Sequence, residues 1–371
     1  YGYPGQARAP QGYGYHGQAG APQQQDYSKQ GYHPGQPQFI SLPRGGQSQA
    51  PGAYGKSQGF YGQPPRHHYK TSKARIIGPG KQPITPRVFL APLIAFISFF
   101  LIDAIVQMVV SFIYMMQSSF AFRLDDLEGM VTDLIENTLM PAMLIATVIK
   151  IIGLFFYIRY RKKRDPYFVR LLPKDPRYYL SGGLTAFGAL GLASLIIFGF
   201  TVIAEQSQFF NDQLESYMDL SQSLTSTSLI LQVLILVIFV PIAEELLFRG
   251  VIVGEMRRAL PDWVVILIGT IIFALAHGNL IQSTYVIPAG FAFTLLYMWS
   301  DSLIVPIGMH MLYNLAGGII PAIFDEDSIV LLILGIFYFV CLAGSIVVLI
   351  IQGKRRKKER QLEAIRTEPL Y

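Results

Sequence analysis

The sequence predicts an all-α fold: a polytopic membrane helical bundle of about eight transmembrane helices behind a disordered N-terminal tail. Three observations carry that expectation. Of 371 residues, 51% are apolar and only 15% charged, a low charge content for a soluble chain of this length. The apolar residues gather in runs near the ~20 residues that cross a hydrocarbon core. The stretches between the runs alternate between basic and acidic, as the positive-inside rule requires of a chain crossing back and forth.

Residues 1–65 are rich in Gly, Gln, Pro and Tyr with loose repeats. They hold too little aliphatic surface to offset the entropy of ordering, so a disordered tail is expected. A tyrosine-rich segment that self-associates or binds a partner is the alternative there. Four histidines lie in or just after it (His16, His33, His67 and His68), too scattered for a metal site. The start lacks an apolar core, so no signal peptide is expected.

Residues 66–87 form a basic juxtamembrane segment, with Arg66, Lys70, Lys73, Arg75, Lys81 and Arg87. The transmembrane domain follows over 88–352. Its first two spans are 88–116 and 140–157, separated by Asp125, Asp126, Glu128, Asp133 and Glu136. The second ends in the basic run 159–164. A third span, 180–204, leads to a stretch, 205–228, that holds no Lys or Arg. The fourth begins at 229, and Arg249, Arg257 and Arg258 follow it. Spans five to seven are 263–277, 285–298 and 303–320, the first two of them short. The acidic cluster 325–327 precedes the eighth span, 329–351, and a basic C-terminal tail covers 353–371. This pattern puts both termini in the cytoplasm, and the two tryptophans, Trp263 and Trp299, fall at the basic boundaries where amphipathic rings anchor.

The formal charge of +6 sits beside the spans rather than in a separate patch, so no nucleic-acid partner is expected. One cysteine, Cys341, excludes an intrachain disulfide and a thiolate metal site and reads as a packing residue.

Polar residues within the later spans are harder to explain by packing. Glu244 and Glu245 close an apolar run, with Arg249 one turn on. Residues four apart share a helix face, so Glu245 and Arg249 can neutralise each other, while Glu244 points elsewhere. Phe273 and His277 share a face on the next span, as do His310 and Asn314 on the seventh. Pro241 and Pro306 precede Glu244 and His310 by less than two turns, and either frees a carbonyl near the site. Taken singly, these are buried polar groups paired across helices. Taken together they form a hydrolytic set. A desolvated glutamate has a raised pKa and serves as general base toward water. One histidine relays the proton, and a second with an Asn amide donates to the oxyanion, one such donor contributing roughly 3 kcal/mol. The phosphate-loop, HExxH and GxSxG patterns are absent from the sequence.

EExxxR (Glu244, Glu245, Arg249), FxxxH (Phe273, His277) and HxxxN (His310, Asn314), in that order on apolar spans, resemble the CAAX prenyl protease and bacteriocin-processing (CPBP) family of intramembrane proteases. The wording EELLFRG, IIFALAHGN and MHMLYNLAGG is nearer its bacterial branch, and the resemblance covers about 225–320. It implies an endopeptidase of the bacterial cell membrane that hydrolyses a lipidated or hydrophobic peptide. Glu244 would be the base, His277 its partner on water, and His310 with Asn314 the oxyanion side. Glu245, Arg249 and Phe273 would support them.

Two alternatives stay open: a bacteriocin-immunity or scaffold protein with the same fold and no required catalysis, and a transporter with a proton path. The latter expects repeated halves, and the sequence shows no internal repeat. No cofactor is favoured. Zinc on Glu244, His277 and His310 is the other option, since the residue types suit it but no local ligand pair does. A depth problem also arises. If span four ended at Arg249, Glu244 would lie near one face and His277 about 20 Å from that face. A helix continuing through Arg258, with Arg249 inside, would bring the two together.

Overall fold

The computed structural model describes residues 81–117, 126–173, 175–225, 227–324 and 328–367. The N-terminal tail with its histidines, most of the basic juxtamembrane segment and the acidic cluster 325–327 lie outside the described residues. Among the described residues the chain is built from helices: α1 (Arg87–Gln117), α2 (Leu127–Arg164), α3 (Arg177–Ala204), α4 (Gln208–Thr225) and α5 (Leu229–Met256). Then come α6 (Asp262–Leu275), α7 (Leu280–Tyr285), α8 (Ile287–Ser300), α9 (Ile304–Ile323) and α10 (Ile329–Thr367).

The six helices α1, α2, α3, α5, α9 and α10 are long and apolar enough to cross a membrane. The chain is a multi-pass membrane protein. The two short spans expected from the sequence are α6 and α8, of 14 residues each. At 1.5 Å per residue each is about 21 Å long, less than the ~30 Å hydrocarbon thickness.

Local chemistry sets several boundaries. Asp126 caps α2, its carboxylate accepting from the Gly129 N–H at 3.0 Å. Four basic residues, Arg161 to Arg164, fill the last turn of α2, where cations meet the negative end of the helix dipole. Gly278, with φ +70°, turns the chain out of α6, a left-handed conformation that glycine adopts without a Cβ clash. Two differences from the expected spans follow. The second and eighth lie within longer helices, of 38 and 39 residues. The stretch 205–228 is mostly helix α4, whose Tyr217 hydroxyl meets that of Tyr285 at 3.4 Å.

Two apolar cores hold the bundle. Phe99, Leu154, Phe168, Leu247, Val251 and Phe273 belong to the one that joins α1, α2, α5 and α6. Leu190, Phe293, Leu296, Met309, Tyr313 and Tyr338 belong to the other, which joins α3, α8, α9 and α10. Between opposed backbones small residues are needed: a Cβ on Gly191 would lie 2.8 Å from the Tyr338 carbonyl oxygen of α10, the kind of close approach that packs membrane helices.

The basic ends of the helices are tied together by ion pairs. The buried Glu255 carboxylate accepts from Arg161 through both oxygens and from the Tyr157 hydroxyl at 2.7 Å, with Arg87 3.7 Å away. Asp301 pairs with Arg257 and Arg170, Arg258 with Asp165, and Lys81 with Asp262. These contacts fix the register of α1, α2 and α5 around the space where the polar residues gather.

Candidate active site

Helix α5 does not end at Arg249. It runs on to Met256, and Arg249 is fully buried. Glu244 therefore lies about 18 Å inside α5 from its basic end, and His277 about 22 Å along from the start of α6. The antiparallel return brings both to a similar depth. They line one cavity of about 440 Å³, together with residues of α1 and α2.

The middle of α5 is irregular. A short α segment, Val240–Glu245, is flanked by π-helical turns over Val233–Phe239 and Leu246–Val253. Pro241 explains part of this. The Val240 N–H reaches back to the Ile235 carbonyl, so in that register the Leu236 carbonyl would be served by residue 241, which has no N–H. Asn314 fills the gap: its Nδ2 donates to the Leu236 oxygen at 2.8 Å. Helix-interrupting π turns are frequent at functional sites, and here the carbonyl capped from α9 lies eight residues before Glu244 on α5.

The two adjacent glutamates have different surroundings. Glu245 is fully buried, and its Oε1 accepts from Arg249 Nη1 at 2.6 Å. The same oxygen lies 3.0 Å from His310 Nδ1. Arg249 also donates to the Gly290 carbonyl at 3.1 Å. Glu244 keeps 21% of its side chain exposed, and its Oε2 lies 3.7 Å from His310 Nε2. That is beyond hydrogen-bond length. One carboxylate is locked into the protein; its neighbour opens to the cavity.

His277, in the turn just past the end of α6, is oriented by that helix, Nδ1 lying 2.9 Å from the Phe273 carbonyl oxygen. A carbonyl only accepts, so Nδ1 carries the proton and Nε2 is left as an acceptor. Phe273 joins the polar residues. The Arg249 guanidinium stacks over its ring at 4.5 Å, and its edge contacts His277 at 5.0 Å and His310 at 5.8 Å. Arg249 meets a second ring, Phe293, at 5.4 Å, so two π faces help offset the desolvation of a buried cation. Gly290 makes room for this arrangement, since a Cβ there would lie 2.8 Å from Phe273 Cδ1.

The sequence-derived set is thus brought together, with one division of labour visible in the contacts. Glu244 and His277 face the cavity. His310 is bonded to Glu245 and lies next to Glu244, and Asn314 has one N–H engaged by α5. Among the described residues no three His, Cys, Asp or Glu side chains are grouped to hold a metal ion.

Sequence reasoning missed two cavity residues. Asp103 of α1 and Lys150 of α2 form an ion pair at 2.7 Å in the cavity wall. Each reads as a lone charge in an apolar run, and an ionisable group at such depth is itself a sign of function.

Residues 226–316 match the family described as Rce1-like, the type II CAAX prenyl endopeptidase Rce1-like domain. Among curated proteins, the membrane-embedded CAAX protease MroQ of Staphylococcus aureus (strain USA300) is 28% identical over 159 residues. The aligned part is 41% of this chain and 63% of that relative, so the chain spans less than two thirds of the relative's length. No solved structure matches the chain.

Proposed function

We propose, for a chain whose residues 226–316 carry an Rce1-like membrane protease domain, that the protein is an intramembrane endopeptidase working by activated water. The observation that carries this reading is the shared cavity of Glu244 and His277, with Glu244 the exposed member of its pair. Its substrate is a hydrophobic or lipidated peptide held at the membrane, in keeping with the CAAX protease named as a relative.

In this mechanism Glu244 takes a proton from water while the oxygen attacks the scissile carbonyl carbon. His277 Nε2 accepts the second hydrogen of that water and fixes its direction. The new C–O bond leaves an oxyanion, and His310 and Asn314 lie on its side. The Glu245 carboxylate engages His310 Nδ1, which leaves Nε2 as the ring nitrogen turned toward Glu244 and the reacting carbonyl. Asn314 has a second N–H beyond the one given to Leu236. Collapse breaks the C–N bond, and Glu244 returns its proton to the departing amine. Glu245, Arg249 and Phe273 hold His310 in place. No covalent intermediate is formed, and none of these steps requires a metal.

The orientation follows the charges: both termini face the cytoplasm of a bacterial cell. Purified protein in lipid should cleave a hydrophobic or lipidated peptide, and Glu244→Ala should abolish cleavage. Undiminished cleavage by that variant would overturn the reading. Protection of cells against a bacteriocin that survives both Glu244→Ala and His277→Ala would instead favour an immunity or scaffold role. Loss of activity with a chelator, restored by zinc at one ion per chain, would replace the glutamate mechanism with a metal one.

A further inference from the structure

The cavity wall opposite the motif residues carries a charge pair outside the matched residues 226–316. Lys150 Nζ donates to Asp103 Oδ1 at 2.7 Å and lies 3.8 Å from the centre of the Phe99 ring. One turn along α1, Gln107 donates to Thr138 at 2.8 Å and to Ser111 at 3.0 Å. A polar seam between α1 and α2 therefore leads into the space of Glu244 and His277.

Packing does not account for the ion pair. Two charges at this depth are costly to desolvate, and apolar side chains of similar size commonly join helices as well or better. Exposure shows which partner a ligand can reach. The Lys150 side chain is 7% exposed, walled in by the carboxylate and the ring, whereas Asp103 is 40% exposed. Lys150 occupies Oδ1 of Asp103, and a carboxylate has acceptor capacity on both oxygens. The cavity therefore offers an incoming group the second carboxylate oxygen of Asp103, with the lysine behind the first.

We propose that Asp103, its Oδ1 engaged by Lys150, is a specificity-determining subsite that receives a cationic group of the peptide while the scissile bond lies at Glu244. That group is a Lys or Arg side chain or a free α-amine. The proposal rests on the protease reading for the scissile bond, but binding at Asp103 is measurable apart from turnover.

The test uses the full chain with Glu244→Gln in lipid nanodiscs, so that bound peptides are not consumed. The probes are hydrophobic peptides with an uncharged C-terminal dye, alike except for Lys, Arg, Gln or Glu at one scanned position, each with a free or acetylated N-terminus. At one position Lys and Arg peptides should bind about tenfold more tightly than the Gln peptide, the scale of one charge-assisted hydrogen bond. If the α-amine is the ligand, acetylation removes the advantage and the scanned side chain does not. Adding Asp103→Asn should shrink the difference to within twofold. Exchanging the charges, Asp103→Lys with Lys150→Asp, keeps a pair at the site and should turn the preference toward Glu. Equal binding of all peptides, or a cation preference that survives Asp103→Asn in a protein melting like its parent, would overturn the proposal. Cleavage by the native chain without any cation preference refutes the subsite and leaves the protease. Cation binding through Asp103 without cleavage of any peptide refutes the protease and leaves the subsite.

Discussion

His310 Nδ1 lies 3.0 Å from Glu245 Oε1, the oxygen that also takes the Arg249 guanidinium at 2.6 Å. One buried oxygen thus serves a cation and an imidazole, and the adjacent Glu244 is left to the cavity. Glu245→Gln should therefore damage the fold more than Glu244→Gln. It leaves Arg249 buried without its counter-charge, and breaking such a pair costs about 3–5 kcal/mol. Thermal melting of both variants in the same lipid tests this. The expected order is a large fall for Glu245→Gln and a small change for Glu244→Gln, with activity lost in both; equal falls would contradict it.

Asn314 and Pro241 should be energetically coupled through the Leu236 carbonyl, although they lie on different helices. Asn314→Ala strands that carbonyl, a loss of about 1–3 kcal/mol. Pro241→Ala restores a backbone N–H within reach of it. In a double-mutant cycle the Asn314→Ala penalty should shrink in the Pro241→Ala background. Additive penalties would show that the proline does not create the need for the amide.

Gly290→Ala places a methyl against Phe273, the ring that touches Arg249, His277 and His310. Overpacking of this kind costs about 1–3 kcal/mol. Here it should also lower kcat by at least tenfold, because the displaced ring carries the histidine contacts. Peptide cleavage and melting measured together check this, and a variant with native kcat would contradict it.

Glu255 provides a contrast. It is buried and binds Arg161 and Tyr157 at the basic end, away from the cavity-lining residues. Glu255→Gln should lower the melting temperature while the folded fraction retains native KM for a cleaved peptide. A raised KM without loss of stability would assign it a place in the site.

Much of this arrangement was legible in the sequence. The eight apolar stretches correspond to six long helices and the short α6 and α8, because hydrophobic length and charge alternation report directly on membrane crossing. The motif residues sit on the expected helices, except that His277 lies in the turn two residues past the end of α6, because one-turn spacing fixes which side chains share a face. The continuation of α5 through Arg249 is what lets Glu244 meet His277, and burial of a cation there is made tolerable by Glu245, the Gly290 carbonyl and two rings from α6 and α8. None of those partners is adjacent to Arg249 in sequence except Glu245. The same reason hid the Asp103–Lys150 pair, whose members are 47 residues apart. Pairwise spacing on one helix cannot reveal a contact made across two. The π turns flanking Glu244 were only partly visible: Pro241 signals a freed carbonyl, but the capping amide comes from α9.

Peptidase action of Glu244 in its own membrane is read out by comparing new peptide termini in membranes of cells carrying the native protein with those of cells carrying Glu244→Gln at equal abundance. Termini present only with the native protein, from hydrophobic or lipidated peptides, are the predicted result. Identical inventories in the two membranes would contradict it.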